Sequence, residues 1–171
     1  KVLIPVHFSG HPCDLESISK LAKKNNLILI EDAAHAVGSS YKNSKIGSCK
    51  YSDMTIFSFH PVKTITTGEG GAILTNKKHL YEKLLMLRNH GISKDPGLID
   101  KKMLDCGWYY EMQGLGFNYR ITDIQAALGY SQLKKLNKFI AKRRQIAAIY
   151  NQTFKNNDFF DIPPEKEYAY S

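Results

Sequence analysis

Apolar and polar residues follow one another along this chain in a pattern that predicts strands and helices in turn. Residues 2–8 ("VLIPVHF") and the almost wholly apolar run at 27–31 ("LILIE") predict two strands. Between them, Leu15–Lys24 carries apolar residues on one helical face and follows Asp14, a favourable N-cap. A strand, a short helix and a second strand form a βαβ unit, so the sequence predicts an α/β protein with a parallel sheet. The run at 27–31 is typical of a strand that is covered on both faces.

The second half of the pattern predicts two more strands, a helix, a long loop and a final helix. "MTIFSF" and "GAILTN" have strand character, and residues 78–90 form a helical pattern that ends at Gly91. Residues 91–119 have little periodicity, and a loop of this length is usually functional or mobile. Thr122 and Gln125 then form a capping box for a long helix that could continue to about Phe154.

Length and composition indicate one globular domain of ordinary size. The chain has 171 residues, of which 43% are hydrophobic, and this is enough to bury a core. No run approaches the roughly 18 apolar residues of a membrane span, and the N-terminal residues lack the order of a signal peptide. We therefore expect a cytoplasmic protein that does not contact a membrane. The sequence begins in a strand pattern without an initiator Met and ends without a closing element, so we expect an internal segment of a longer protein.

Neither the cysteines nor the net charge indicates a metal site or a nucleic-acid partner. Cys13, Cys49 and Cys106 lie far apart, without zinc-site spacing, and are expected to be reduced thiols. The formal net charge is +8, and much of it lies on residues 134–144, interleaved with apolar residues at helical spacing. This pattern is typical of the solvated face of an amphipathic helix, and no nucleic-acid-binding motif accompanies it.

Two of the predicted strands are followed by residues with ionisable or nucleophilic side chains. Glu31, Asp32 and His35 come at the end of the run at 27–31, and Ser58 and Lys63 follow "MTIFSF". In an open α/β sheet, ligands bind beyond the carboxyl ends of the strands, so a carboxylate and an amine are expected to face one crevice. Each residue alone has an ordinary explanation as part of a turn or of the surface. The glycines of "GEGG", after Lys63, match neither a dinucleotide-binding nor a P-loop pattern.

Together, Lys63, Asp32 and Ser58 suit pyridoxal phosphate (PLP). This cofactor needs an amine to bond its aldehyde, an anion that keeps its ring nitrogen protonated, and donors for its phosphate. A lysine, an aspartate and a serine are the right groups for these three tasks. The combination therefore carries more weight than any one of the residues.

Three ordered segments resemble the central part of the DegT-type nucleotide-sugar aminotransferases. They are "EDAAHAVGS", "YSDMTIFSFHPVKTITTGEGGAILTN" and "GFNYRITDIQAALGYSQL", and the opening "IPVHFSGHPCDLESI" is also similar to that family. The resemblance covers nearly the whole chain. It implies an aspartate-aminotransferase-like fold (fold type I), with this chain as the central part of the large domain: a mainly parallel sheet with flanking helices. Residues 1–120 would belong to the PLP-binding large domain, and residues 121–171 to a long connecting helix and the start of an incomplete C-terminal domain.

The resemblance also implies a role for each candidate residue. Lys63 matches the Schiff-base lysine of the family, and Asp32 matches the partner of the cofactor's ring nitrogen. His35 falls where the family has Gln or His beside the ring, and Ser58 falls where a hydroxyl binds the phosphate. Asn118 matches an asparagine that reaches the phosphate of the neighbouring subunit's cofactor, so a homodimer with composite sites is implied.

Within the family, the resemblance is greatest to the pseudaminic-acid branch. Its enzymes aminate C4 of a UDP-linked 4-keto-6-deoxy-N-acetylhexosamine, with glutamate as the amino donor. By this resemblance, the sequence is expected to cover neither the N-terminal part of such an enzyme, which supplies a phosphate loop and an aromatic that stacks on the ring, nor most of its C-terminal domain. We therefore expect the isolated segment to be inactive. Two alternatives stay open: a PLP-dependent sugar dehydratase, whose branch has histidine in place of Lys63, and a non-catalytic paralogue or inert fragment.

Overall fold

The computed structural model describes residues 1–103 and 105–171, which form two compact units. One unit contains residues 1–75 and 123–171, and the other contains residues 76–122. The strands are β1 (Val2–Leu3), β2 (Ile28–Asp32), β3 (Ser40–Tyr41), β4 (Ser44–Lys45), β5 (Met54–Ser58), β6 (Gly71–Leu74), β7 (Ile92–Ser93), β8 (Glu111–Met112) and β9 (Ala169–Tyr170). The helices are α1 (Leu15–Lys24), α2 (Lys78–Leu87), α3 (Asp123–Leu133) and α4 (Leu136–Phe154).

Four strands form the main sheet of the first unit, in the order β1, β2, β5, β6. β1 and β5 both run parallel to β2, whereas β6 runs antiparallel to β5. The predicted parallel sheet is therefore confirmed for three of the four strands. β6 reverses because residues 59–70 fold back on themselves, with the Phe59 amide donating to the Gly70 carbonyl (2.8 Å). Lys63 consequently lies in the loop of a hairpin.

Helix α1 has the bounds and the cap that the sequence predicts. The carboxylate of Asp14 accepts hydrogen bonds from the backbone amide of Ser17 (3.4 Å) and from its hydroxyl (2.6 Å). These contacts satisfy a donor that the first turn of a helix leaves free. Leu15 and Ala22 lie on the buried face of the helix.

The hydrophobic core lies directly behind the turn that follows β2. Its buried members are Leu15, Ala33, Ala36, Tyr41 and Ile46, and Tyr51, Phe57 and Tyr168 pack against them. The Tyr41 hydroxyl donates to Asp14 (2.6 Å), which satisfies the polar end of the buried ring. Since two of the core alanines belong to the turn after Asp32, the core fixes the turn that leads to His35.

The first strand is shorter than the sequence predicts. β1 contains only Val2–Leu3, and pairing resumes at Val6 as an isolated bridge to Asp32. Pro5 has no N–H to donate, so it interrupts the ladder, although its carbonyl accepts from the Asp32 amide (2.9 Å). The predicted continuous strand over residues 2–8 is therefore wrong, but the segment still lies along β2.

The single long helix predicted after Thr122 is also wrong, because the structure has two helices there. α3 ends at Leu133 and α4 begins at Leu136. The Lys135 amide donates to the Gln132 carbonyl (2.9 Å), and this contact three residues back tightens the end of α3 into a turn. α4 then continues to Phe154, the predicted end.

One face of the main sheet is open within the described residues. Ile28, Ile56 and Ile73 are 37–48% exposed, whereas Leu29 and Thr55 on the other face are at most 2% exposed. The residues of this chain cover only the second face. The expectation that the strand at 27–31 is covered on both faces is therefore wrong for the described part of the chain.

The second unit contains α2 and the antiparallel pair β7 and β8. α2 ends at Leu87, before the predicted end at residue 90, and the Gly91 amide still donates back to the Met86 carbonyl (2.9 Å). Gly91 has a φ of 68°, which suits a glycine after a helix. The predicted loop at 91–119 holds both short strands, and Leu104 within it lies outside the described residues. Among the helices described in either unit, none combines the length and apolar character needed to cross a bilayer.

Candidate functional site

The carboxyl ends of β2 and β5 lie side by side and bring Asp32 and Ser58 to one edge of the sheet. Asp32 is the Cα partner of Ile56 in the parallel ladder, and the Ala33 amide donates to the Ile56 carbonyl (2.9 Å). Ser58 is the last residue of β5, two positions beyond Ile56. The sequence predicts this meeting of strand ends, and the structure shows it.

The carboxylate of Asp32 is half-buried and has one oxygen available. Oδ1 accepts a hydrogen bond from the Ala34 amide (3.1 Å), and Oδ2 has no partner among the residues that the structure describes. The backbone of Asp32 is held by Pro5 and His7, because its amide donates to the Pro5 carbonyl and its carbonyl accepts from the His7 amide (both 2.9 Å). A fixed carboxylate with a free oxygen can accept a hydrogen bond from a protonated ring nitrogen.

Lys63 lies in the hairpin loop at 59–70, which is closed by its own backbone. The Lys63 amide donates to the His60 carbonyl, and the Thr67 amide donates to the Phe59 carbonyl (both 3.0 Å). The side chain of Lys63 is half-buried, and its Nζ has no ion pair or hydrogen bond within residues 1–103 and 105–171. The structure thus places a free amine on a well-defined backbone.

The hydroxyl of Ser58 also keeps its proton available. Its oxygen accepts from the His60 amide (3.3 Å), which orients the side chain at the start of the hairpin loop. Because a hydroxyl both donates and accepts, the remaining O–H can donate to an anion such as a phosphate.

His35 follows Asp32 by three residues and is exposed. Its Nδ1 accepts a hydrogen bond from the Ser9 amide (3.2 Å), and its ring meets the ring of Phe8 edge to face at 5.9 Å. An accepting Nδ1 carries no proton, so the neutral ring has its proton on Nε2. His35 therefore offers a donor from its free nitrogen.

Two glycines let the helices pack against the loops of the site. A Cβ at Gly38, in the loop that follows His35, would overlap the side chain of Ile140 in α4. A Cβ at Gly129, within α3, would lie only 2.7 Å from the methyl carbon of Thr67 in the hairpin loop. Both helices thus support the loops through contacts that exclude a larger side chain.

We expect Gly129→Ala to destabilise the fold by up to about 2 kcal/mol. Overpacking costs about 1–3 kcal/mol, and alanine regains about 1 kcal/mol of helix propensity. Urea unfolding of the protein from the complete reading frame measures the change. Gly107→Ala is the matched control, since nothing lies within 4 Å of a Cβ at Gly107. A Gly129→Ala protein that is more stable than the parent would contradict the close contact.

Asn118, the remaining candidate residue, belongs to the second unit. It is exposed and forms an isolated antiparallel bridge with Asn89. The segment before it is tightly packed, because a Cβ at Gly116 would overlap the backbone of Gly91. The structure therefore presents Asn118 next to a closely packed segment, and its role stays a prediction.

Sequence reasoning missed a buried polar cluster, formed by His7, Glu31, Ser52 and Thr55, behind the site. His7 Nε2 lies 2.9 Å from Glu31 Oε2, and the hydroxyls of Ser52 and Thr55 both donate to Glu31 Oε1, the latter at 3.1 Å. Glu31 is 2% exposed and points away from the side chain of Asp32, because successive side chains of a strand point to opposite faces. The carboxylate expected at the crevice is therefore that of Asp32. A histidine and a glutamate within otherwise apolar segments were the available signal.

Nε2 of His7 carries a proton that it shares with Glu31. Burial lowers the pKa of His7, but its contacts with Cys13 and Glu31 outweigh burial and raise the pKa to about 9. The Cys13 amide nevertheless donates to Nδ1 (3.1 Å), which a doubly protonated ring could not accept. These two indications disagree about the charge of the ring, and the amide contact favours the neutral form. Both place a proton on Nε2.

Comparison of the chain with known proteins shows which family it belongs to. The model of the DegT/DnrJ/EryC1/StrS aminotransferase family matches residues 1–170. The chain belongs to this family. The resemblance seen in the sequence is confirmed, and so is the aspartate-aminotransferase-like fold of type I.

Individual relatives of this DegT-family chain are sugar aminotransferases. A UDP-4-amino-4,6-dideoxy-N-acetyl-beta-L-altrosamine transaminase of Campylobacter jejuni is 46% identical over 97% of the chain and 41% of its own length. The solved structure of Helicobacter pylori PseC, an aminotransferase of pseudoaminic acid biosynthesis, superposes with a TM-score of 0.83 at 39% identity, over 94% of this chain and 40% of PseC. The PLP-form of the putative sugar aminotransferase Spr1654 from Streptococcus pneumoniae has a TM-score of 0.83 at 27% identity, over 99% and 45% of the two chains.

The chain spans about two fifths of the length of the curated relatives that it matches. The match includes the segments that hold Asp32, Lys63 and Asn118.

Proposed function

We propose that this chain forms the cofactor-binding centre of a PLP-dependent nucleotide-sugar aminotransferase. The observations that carry the proposal are that a carboxylate with a free oxygen and a free hydroxyl lie at the ends of two paired parallel strands, and that a free amine lies in the hairpin loop that follows the second of these strands. Lys63, Asp32 and Ser58 supply these groups. Their chemistry fits PLP, since the donor set matches an aldehyde, a protonated ring nitrogen and a phosphate.

Each residue has a separate task in this proposal. When bound, PLP supplies an aldehyde for amine exchange and an electron-withdrawing ring. Lys63 would hold the cofactor at its aldehyde through the amine, and as a free amine it would move a proton as a general base and acid. Asp32 holds a proton on the ring nitrogen, and Ser58 donates to the phosphate. His35 would lie beside the cofactor ring, with Nε2 as its available donor.

The substrates in this proposal are assigned from the family resemblance and from the relatives. We assign glutamate as the amino donor and a UDP-linked 4-keto-6-deoxy-N-acetylhexosamine as the acceptor. The support for the acceptor is the name of the 46% identical Campylobacter jejuni transaminase, which contains a UDP-linked 4-amino-4,6-dideoxy sugar. The product would enter the synthesis of a pseudaminic acid-like surface sugar in bacteria.

The assembly in this proposal is a cytoplasmic homodimer with composite sites. Residues 1–120 belong to the PLP-binding domain, and residues 121–171 connect it to a smaller C-terminal domain. Asn118 donates to the phosphate of the partner's cofactor. Its exposure next to a closely packed segment supports a contact across an interface.

A panel of nucleotide-linked keto-sugars tests the substrate assignment. The protein from the complete reading frame is incubated with glutamate and with UDP- or dTDP-linked 4-keto- and 3-keto-sugars, and 2-oxoglutarate is measured. We expect turnover with the UDP-linked 4-keto-6-deoxy-N-acetylhexosamine at least about tenfold above that with the dTDP-linked sugars, because a site built for one substrate leaves polar groups unpaired with another. Preference for a 3-keto or dTDP-linked sugar would contradict the assignment.

A further inference from the structure

His7 joins the backbone of Asp32 to the side chain of the residue before it. Its amide donates to the Asp32 carbonyl (2.9 Å), and its ring nitrogen Nε2 lies 2.9 Å from the Glu31 carboxylate. Both side chains of this pair are almost fully buried, at 0% and 2% exposed. One residue thus binds the backbone of Asp32 through its amide and the buried carboxylate of Glu31 through its ring.

Glu31 in turn joins β2 to β5. Thr55 is its Cα partner in the parallel ladder, and the Thr55 hydroxyl donates to the Glu31 carboxylate (3.1 Å). The next pair along the ladder is Asp32 with Ile56. The side-chain bond therefore fixes the two strands relative to each other one residue before Asp32.

In the buried polar cluster, three side-chain donors converge on one acceptor, the carboxylate of Glu31. The ring of His7 and the hydroxyls of Ser52 and Thr55 all point donors at the two oxygens of Glu31. A buried carboxylate is tolerated only when it is hydrogen-bonded in this way, and apolar side chains of similar size would stabilise a sheet at least as well. A fully satisfied polar network instead favours one specific arrangement of the strands.

We infer that Glu31 and His7 are positioning residues that hold the carboxylate of Asp32 in place at the sheet edge, an inference that rests on the proposed function. They touch neither substrate nor cofactor. Their effect reaches the chemistry through Asp32, whose position decides how well its charge faces the cofactor's ring nitrogen.

Four variants of the protein from the complete reading frame test this role. Glu31→Gln places an N–H against the converging donors, and His7→Leu removes the ring donor. His7→Gln keeps an N–H donor at about the position of Nε2. Glu16→Gln is the matched control, since the same change is made at a half-exposed carboxylate that contacts Lys20 and Lys42 on the surface.

Three readouts separate positioning from mere stability. The first is amide hydrogen exchange of Asp32 and Ala33 in the protein without cofactor; both amides are hydrogen-bonded, to Pro5 and Ile56. The second is the pH midpoint of the visible absorption of the PLP-loaded protein, and the third is kcat. For Glu31→Gln and His7→Leu we expect about tenfold faster exchange, a midpoint shifted by about one pH unit and kcat lowered about tenfold or more. His7→Gln and Glu16→Gln should stay within about threefold of the parent.

Parent-like exchange at Asp32 and Ala33 and a parent-like absorption midpoint in Glu31→Gln, with only a lower melting temperature, would overturn the inference. If Glu31→Gln does not fold, Thr55→Val removes a single donor and is held to the same exchange and midpoint criteria. If the parent does not bind PLP, the proposed function fails, and the exchange measurement, which needs no cofactor, still decides whether the cluster holds Asp32.

Discussion

In the Asp32→Asn variant, we expect kcat to fall by about 10³-fold or more while PLP stays bound. Asp32 ends β2 at the sheet edge, and its Oδ2 is free to meet a protonated ring nitrogen. Asparagine keeps the shape but removes the negative charge that holds this proton, so the ring withdraws electrons less strongly during proton transfer. Single-turnover kinetics with glutamate, together with the visible absorption of the bound cofactor, measure both effects.

The control for this variant is Asp158→Asn, the same change at an exposed position. It should leave kcat within about twofold of the parent, since a substitution at an exposed position away from the buried core and the site has a small effect. Near-normal turnover of Asp32→Asn, with PLP bound, would remove Asp32 from its proposed role.

Mixing two inactive variants should restore activity if the sites are composite. Lys63→Ala removes the amine, and Asn118→Asp places a negative charge against the partner's cofactor phosphate. A heterodimer of the two variants has one site with both changes and one site with an intact Lys63 and an intact Asn118. Each heterodimer should therefore regain about half the activity of a parent dimer, and a statistical mixture about a quarter.

The control mixture combines Lys63→Ala with Asp32→Asn. Because Lys63 and Asp32 belong to the same unit of the same chain, every site in that heterodimer lacks one of the two, and no activity should return. If Lys63→Ala and Asn118→Asp also fail to complement after subunit exchange is demonstrated, Asn118 acts within its own subunit or has no role.

Short stretches of sequence were enough to predict the start of α1 and the ends of β2 and β5. Asp14 caps α1 through the Ser17 amide, so the start of that helix is visible in a few consecutive residues. The ends of β2 and β5 follow from two apolar runs, and the meeting of Asp32 with Ser58 follows from the parallel pairing. These features need no knowledge of distant contacts.

Features without a recognisable local signal in the sequence were not predictable in the same way. No glycine or proline marks the turn between α3 and α4, so the sequence pattern continues through it. The reversal of β6 depends on backbone hydrogen bonds within residues 59–70. The partner of His7 is Glu31, 24 residues away, so their pairing is visible only once β2 is placed beside the first segment.

The central claim is that Lys63 is the amine that bonds to PLP, and reduction followed by peptide mapping tests it most directly. Lys63 Nζ has no partner among the described residues, whereas Lys42 pairs with Glu16 and Lys45 donates to the Gly38 carbonyl. The PLP-loaded protein from the complete reading frame is treated with borohydride, digested and analysed by mass spectrometry. The account predicts a pyridoxyl group on Lys63. A pyridoxyl group on Lys42, Lys45 or Lys50 instead would contradict it.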